Sequence, residues 1–134
     1  KYGVDKSFSS FSIPLGATIN MDGTAIMQGC ATFFLASYYG VTLEFTDYLT
    51  IILTATLASI GTAGIPSAGI IMLSIILEQI GIPLEGIALL LGVDRLLDMV
   101  RTSVNVAGDT CITCIVAKSE GLMNTKIFED TSEN

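Results

Sequence analysis

Apolar residues fill long stretches of this chain, and the polar residues inside them fall at a few fixed places. Residues 7–39 form the first such stretch, longer than the roughly 20 apolar residues a helix needs to cross a bilayer. It is interrupted by Asn20, Met21, Asp22, Gly23 and Thr24, a run of poor helix formers apart from Met21. The pattern predicts a helix to about Ile19, a local unwinding, and a second helix to about Ser37, followed by a polar turn over 40–47. Residues 48–77 carry no charge at all, yet their centre, SIGTAGIPSAG, holds several glycines and a proline. Pro66 removes a donor and the glycines admit unusual backbone angles. Each half is too short to cross alone, so the stretch reads as two apolar helices folded back at a small-residue tip, a re-entrant hairpin.

After a turn at Gly81, Ile82 and Pro83 comes the third element. On a helix advancing about 100° per residue, Asp94, Asp98, Arg101, Asn105 and Asp109 fall within about 80° of one another. Leu96, Leu97, Met99, Val100, Val104, Val106 and Ala107 occupy the other faces. A surface helix would spread its polar residues over the wet half instead of gathering them on one line. The expected fold is therefore an all-α membrane protein of one unit spanning residues 1–134. It comprises a discontinuous helix (7–39), a re-entrant hairpin (45–80), a polar-striped transmembrane helix (86–117) and a solvated, poorly ordered tail (118–134).

Composition sharpens this picture. Of 134 residues 51% are hydrophobic and 14% charged, too apolar for an ordinary soluble domain. The net charge of −7 argues against nucleic acid, because little here would neutralise phosphates. There is no histidine, and no nucleophile beside a base, so an enzyme has little support. Cys111 and Cys114 have the spacing of a metal or redox pair, but with Cys30 the only other thiol they read as small apolar residues in helices. No signal peptide is read at Lys1, and the chain reads as the later part of something longer.

Three constellations carry chemistry. The four charges of the stripe would together cost on the order of 10 kcal/mol if they faced lipid. They must face protein, each other or a ligand. Asp98 and Arg101, three apart, can simply pair and fix helix packing. The carboxylates outnumber the arginine, which calls for cations, and hard cations take oxygen ligands. The planar fork of Arg101 suits a ligand carboxylate. The unwound segment frees main-chain carbonyls that can hold small cations, and Asn20, Asp22 and Thr24 add side-chain oxygens; a plain kink is the plainer reading. The hairpin tip is small enough for its backbone to approach a ligand, or it is a mere packing turn.

The stretches GATINMDGT (16–24), ASIGTAGIPSAG (58–69) and DRLLDMVRTSVNVAGD (94–109) together resemble the C-terminal third of a dicarboxylate/amino acid:cation symporter of the glutamate transporter family. The resemblance covers most of residues 12–121. It implies the transport-domain core of that fold, in a multi-pass protein of the plasma membrane that forms a homotrimer when complete. It implies that Asp98 takes the α-amino group of the substrate and that Arg101, helped by the Thr24 hydroxyl, takes its side-chain carboxylate. Thr102 and Asn105 would lie near the α-carboxylate, and the main chain of Ile65, Pro66, Ser67, Ala68 and Gly69 would close over the substrate.

Sodium ions (Na+) are implied at three places. One site would use carbonyls of Gly16, Asn20 and Asn105 with the Asp109 carboxylate. Another would use carbonyls of Thr18, Ser59, Ile60 and Thr62, with the Met21 sulfur nearby. Side chains of Asn20 and Asp22 would serve a third, completed by an earlier helix. Gln28 sits where proton-coupled members carry glutamate, which argues against proton coupling through that position. Asp109 favours sodium, Asp98 an amino acid over a plain dicarboxylate, and Arg101 disfavours neutral amino acids. The expected function is sodium-coupled symport of an acidic amino acid, aspartate or glutamate, with aspartate favoured. The alternatives are symport of a C4-dicarboxylate or neutral amino acid, or a channel lined by the stripe.

Overall fold

The computed structural model describes residues 2–62 and 68–129. Helix α1 runs Lys6–Ile19 and α2 Asp22–Tyr39. Helix α3 spans Phe45–Gly61 and α4 Ala68–Ile80. A 3-10 turn at Leu84–Gly86 leads into the short α5, Ile87–Leu91. The longest helix, α6, runs Asp94–Ser119, and α7 is Thr125–Glu129. The chain is thus all-α, as its pattern predicts.

The helix boundaries refine three expectations. The unwinding is confined to Asn20 and Met21, and Asp22, Gly23 and Thr24 already belong to α2. Asp22 opens that helix, where a carboxylate is favoured by the unpaired N–H groups of the first turn. The element expected to be continuous over 86–117 is broken at Gly92 and Val93, between α5 and α6. The tail, expected to be loose from 118 onward, continues α6 to Ser119 and then forms α7.

The core lies between α2 and α4. Ala31, Leu35 and Ala36 of α2 pack with Leu73 and Leu77 of α4, and Ile82 and Leu90 close the cluster. A second cluster joins Ile51 and Ala55 of α3 to Ile76 of α4. The Thr54 hydroxyl donates to Gln79 Oε1 at 2.8 Å. Leu43, just before α3, and Ile80, at the end of α4, pack on that second cluster, so the two arms lie side by side and antiparallel. Their connection, including Ile65, Pro66 and Ser67, lies outside the described residues.

Helix α6 is inverted relative to a soluble helix. Asp94, Arg101 and Asp109 are buried, whereas Met99 is 66% exposed and Leu96 67%. Phe11, Phe33, Ile52 and Ile71 likewise present apolar surface on the other long helices. Apolar area on this scale marks faces covered by lipid or by other protein. No single described helix is both long and apolar enough to cross a membrane. Two physical reasons are visible: the apolar stretch of α1 and α2 is cut by the break, and the charges of α6 lower its hydropathy.

The start of α1 is capped by Asp5, whose carboxylate accepts the N–H groups of Ser7 at 2.9 Å and Phe8 at 3.3 Å, and the Ser7 hydroxyl. The Ser7 hydroxyl, then the two N–H groups, hold the Asp5 carboxyl below its ordinary 3.8. A lowered carboxylate stabilises the folded form fully above the ordinary value, and the effect is lost as pH falls through the lowered one. Hydrogen exchange at Ser7 and Phe8, referenced to unfolded-chain rates, is expected to lose protection only below pH 3.8. Asp5→Asn, itself a good cap, should keep the protection and abolish its pH dependence.

Candidate functional site

The site is organised by α6, on which Arg101, Asn105 and Asp109 recur every four residues and so share one face. The break between α1 and α2 lies against that face. In an unbroken helix the Gly23 N–H would close onto the Ile19 carbonyl. Here it donates to Asn105 Oδ1 at 2.8 Å. The Asn20 amide donates to Asp109 Oδ1 at 3.2 Å and to Asp22 Oδ2 at 3.4 Å. The broken backbone is thus held open by side chains of α6 and by its own polar residues.

Close approach depends on Gly16. A Cβ there would stand 2.6 Å from Asp109 Oδ1 and 2.9 Å from its carboxyl carbon. No side chain fits, so α1 can rest on the buried carboxylate only through a glycine. Gly16, Asn20, Asp22, Asn105 and Asp109 are therefore brought together as one oxygen-rich cluster. The fit to a small hard cation is chemical: carboxylate and amide oxygens beside an interrupted helix. Among the described residues no three Asp, Glu, His or Cys side chains gather as they would for a multi-carboxylate or thiolate metal site. Part of the donor set is already engaged. The Gly16 carbonyl accepts the Asn20 N–H at 2.8 Å, and the Met21 carbonyl accepts the N–H groups of Thr24 and Ala25.

A second grouping lies about two turns before Asp109 on α6. Arg101 is buried, and its Nη2 pairs with the half-buried carboxylate of Asp98. Its Nη1 is also buried and has no hydrogen-bond partner among the described residues. The first turn of α4 covers it. A Cβ on Gly69 would strike the Arg101 guanidinium and come within 3.3 Å of Thr24 Cγ2. Thr24, Ala68, Gly69, Asp98 and Arg101 therefore converge. Thr102 does not join them, being exposed on α6.

The set expected to include Thr18 and the end of α3 is less assembled. The Thr18 hydroxyl is exposed and bonds back to the Leu15 carbonyl at 2.7 Å. Ser59 and Thr62 are buried, but their hydroxyls donate to the carbonyls of Thr56 and Ala58 in their own helix. Ile60 is exposed, while Met21 is buried at the break. Ile65, Pro66 and Ser67 lie outside the described residues.

Gln28 is a residue whose part the sequence reading missed. It is completely buried, and its Nε2 donates to the Gly69 carbonyl at 3.1 Å. Its Oε1 is buried without a partner among the described residues. The signal available was an amide set between Thr24 and Thr32, each four residues away on the same face of α2. Gln28→Leu removes one net-favourable bond worth about 1 kcal/mol together with an oxygen that has no partner among the described residues. Thermal stability should therefore change little. The first turn of α4 should loosen, so that a cysteine placed at Ala68 reacts severalfold faster with a thiol reagent.

An inverted helix, a broken partner helix and the first turn of α4 meet around the buried Arg101 and its partner Asp98. Comparison with known proteins says what class of protein this helical element belongs to. Residues 1–119 match the sodium:dicarboxylate symporter family. Excitatory amino acid transporter 2 of Mus musculus is 54% identical over 108 residues, which cover 81% of this chain and 19% of that protein. Excitatory amino acid transporter 3 of Mus musculus is 48% identical over 118 residues, 88% of this chain and 23% of that protein. Neutral amino acid transporter B(0) of Mus musculus is 49% identical over 109 residues, 81% of this chain and 20% of that protein. The chain belongs to the sodium:dicarboxylate symporter family. It spans about a fifth of the length of these relatives.

Proposed function

We propose that this chain is the C-terminal part of the transport domain of a sodium-coupled symporter for an acidic amino acid, aspartate in preference to glutamate. The observation that carries the reading is the buried Arg101, with one nitrogen on Asp98 and Nη1 lacking a partner among the described residues. A buried guanidinium N–H is costly to leave unpaired, and a ligand carboxylate is the planar acceptor that matches it. Asp98 beside it offers a counter-charge for an ammonium. A zwitterion with an additional carboxylate satisfies both, whereas a cation pore has no use for the arginine. Family membership and the names of the relatives support amino acid transport, and the neutral-amino-acid relative is set aside because of Arg101.

The buried Asp109 with Asn20, Asn105 and Gly16 is the proposed sodium site, and Asp22 with Asn20 contributes to another. Thr18, Ser59, Ile60 and Thr62, with Met21 nearby, are proposed for a sodium site that forms as the hairpin closes. In this reading Thr102 approaches the substrate once the remaining segments of the full-length protein pack against α6. Coupling follows because one break in one helix serves both ligands: Gly23 is tied to Asn105, and the neighbouring Thr24 faces Gly69 and Arg101. Each sodium ion entering down 100 mV adds about 2.3 kcal/mol of driving force. The test is uptake of labelled aspartate by the full-length protein in liposomes. Accumulation driven by an inward sodium gradient is expected, and equal uptake without sodium would refute the coupling.

A further inference from the structure

The two ends of the described chain are tied to each other. The Asn124 N–H donates to the Gly3 carbonyl at 2.7 Å, and the Asp5 N–H donates to the Leu122 carbonyl at 2.8 Å. Between them Val4 and Met123 form an antiparallel bridge. On one side this bridge is continuous with α1 through the Asp5 cap. On the other it is fixed to α6. Gly121, with φ of 69°, ends that helix, and the Leu122 N–H bonds back to the Ala117 carbonyl at 2.8 Å. Asn124 then opens α7, accepting the Ile127 N–H on its carbonyl and the Lys126 N–H on its side chain.

The bridge is the first of three rungs. Further along, the hydroxyls of Ser12 and Thr113 share a hydrogen bond at 2.8 Å. Beyond them Gly16 rests on Asp109. Residue numbers rise on α1 as they fall on α6, so the helices are antiparallel in a defined register. Helix α1 contains no buried residue, so no packed core of its own sets that register. A slip of one residue translates a helix by about 1.5 Å and turns it by about 100°. It would bring Leu15 or Ala17 towards Asp109, where Gly16 leaves no room for a Cβ.

We propose that residues 3–5 and 122–124 form a positioning strap that sets the register of α1 on α6, and through it the geometry of the Gly16–Asn20–Asp109 cluster. Residues 122–124 lie beyond the stretch matching the family, which ends at residue 119. Residues 3–5, the other half of the strap, lie within that stretch. Its consequence for sodium rests on the function proposed above, but the register itself does not.

The test opens the strap at Gly3 in the full-length protein. Gly3 has φ of 70°, and a Cβ there would strike the Asn124 carbonyl, so Gly3→Val is doubly disfavoured. With Cys30, Cys111 and Cys114 replaced by alanine, cysteines at Ser12 and Thr113 report the register through their rate of disulfide formation. Gly3→Val is expected to slow that cross-linking severalfold. It should raise the sodium concentration for half-maximal aspartate uptake by about tenfold, within the range usual for coupling between separate parts of a protein. The maximal rate at saturating sodium should stay close to that of the parent; simple loss of folded protein would lower the rate and leave the half-saturation unmoved. An unchanged cross-linking rate overturns the strap. Slower cross-linking in a protein whose uptake ignores sodium refutes the transport reading and leaves the strap standing. Should Gly3→Val fail to fold, Val4→Cys with Met123→Cys decides the matter. Bridge partners lie within disulfide range, so oxidation is expected to join them without altering sodium half-saturation. Failure to join, or a shifted half-saturation once joined, contradicts the proposal.

Discussion

Arg101→Ala is expected to abolish binding of acidic amino acids while sodium still binds. Arg101 is only 6% exposed; its Nη2 pairs with Asp98, and its Nη1 has no partner among the described residues. Truncating one partner of a buried charged pair typically costs 2–5 kcal/mol, most of it for stranding the other charge. Two charges are stranded here: the ligand carboxylate, and Asp98, whose side chain is 25% exposed. A loss of about 3–5 kcal/mol corresponds to a weakening of roughly a hundredfold to several thousandfold. Calorimetry on the full-length variant should show no aspartate binding at concentrations that saturate the parent. Sodium binding should remain, because the Asp109 cluster lies two turns further along α6. Retained aspartate affinity would remove Arg101 from the site. Arg101→Lys tests the geometry: it keeps the charge but loses the planar fork, and should rescue poorly.

Asp109→Asn is expected to cost most of the sodium affinity and to spare the fold. The substitution preserves shape, and the new amide oxygen can still accept the Asn20 Nδ2 proton now bonded at 3.2 Å. The negative charge is what disappears. Hydrogen-bonded and ionic contacts to a charged group are each worth about 1.5–3 kcal/mol, so sodium half-saturation should rise at least about tenfold. Thermal melting in the absence of sodium should move little, and the stabilisation that sodium confers on the parent should shrink. A variant that melts early with or without sodium would instead make Asp109 a structural carboxylate.

Much of this arrangement was legible from two features of the sequence. The line of Asp94, Asp98, Arg101, Asn105 and Asp109 on an otherwise apolar helix predicts an inward polar face. The structure buries Asp94, Arg101 and Asp109 while exposing Leu96 and Met99. Asn20 to Thr24 predicts a break, which the structure narrows to Asn20 and Met21. Propensity marks all five residues alike, but it cannot see that Gly23 will find Asn105 on another helix, which lets α2 begin early. The interruption at Gly92 and Val93 was hidden because the polar stripe starts directly after it at Asp94 and a lone glycine is tolerated inside a helical pattern. The bridge at Val4 and Met123 was equally hidden, since two residues far apart in sequence carry no local pattern that pairs them. Gln28 was noticed for the charge it lacks; its bond to Gly69 depends on α4 folding back over α2. The expected second cation set of Thr18, Ser59, Ile60 and Thr62 rested on carbonyls, and backbone oxygens leave no trace in residue identity.

The central claim is that one broken helix against one striped helix holds a carboxylate-bearing amino acid and alkali ions together. Aspartate binding to the purified full-length protein, titrated by calorimetry at a series of sodium concentrations with choline maintaining ionic strength, tests it most directly. The account predicts that aspartate affinity climbs steeply with sodium, and by linkage that aspartate tightens sodium binding by the same factor. An aspartate affinity that is the same in sodium and in choline would contradict it.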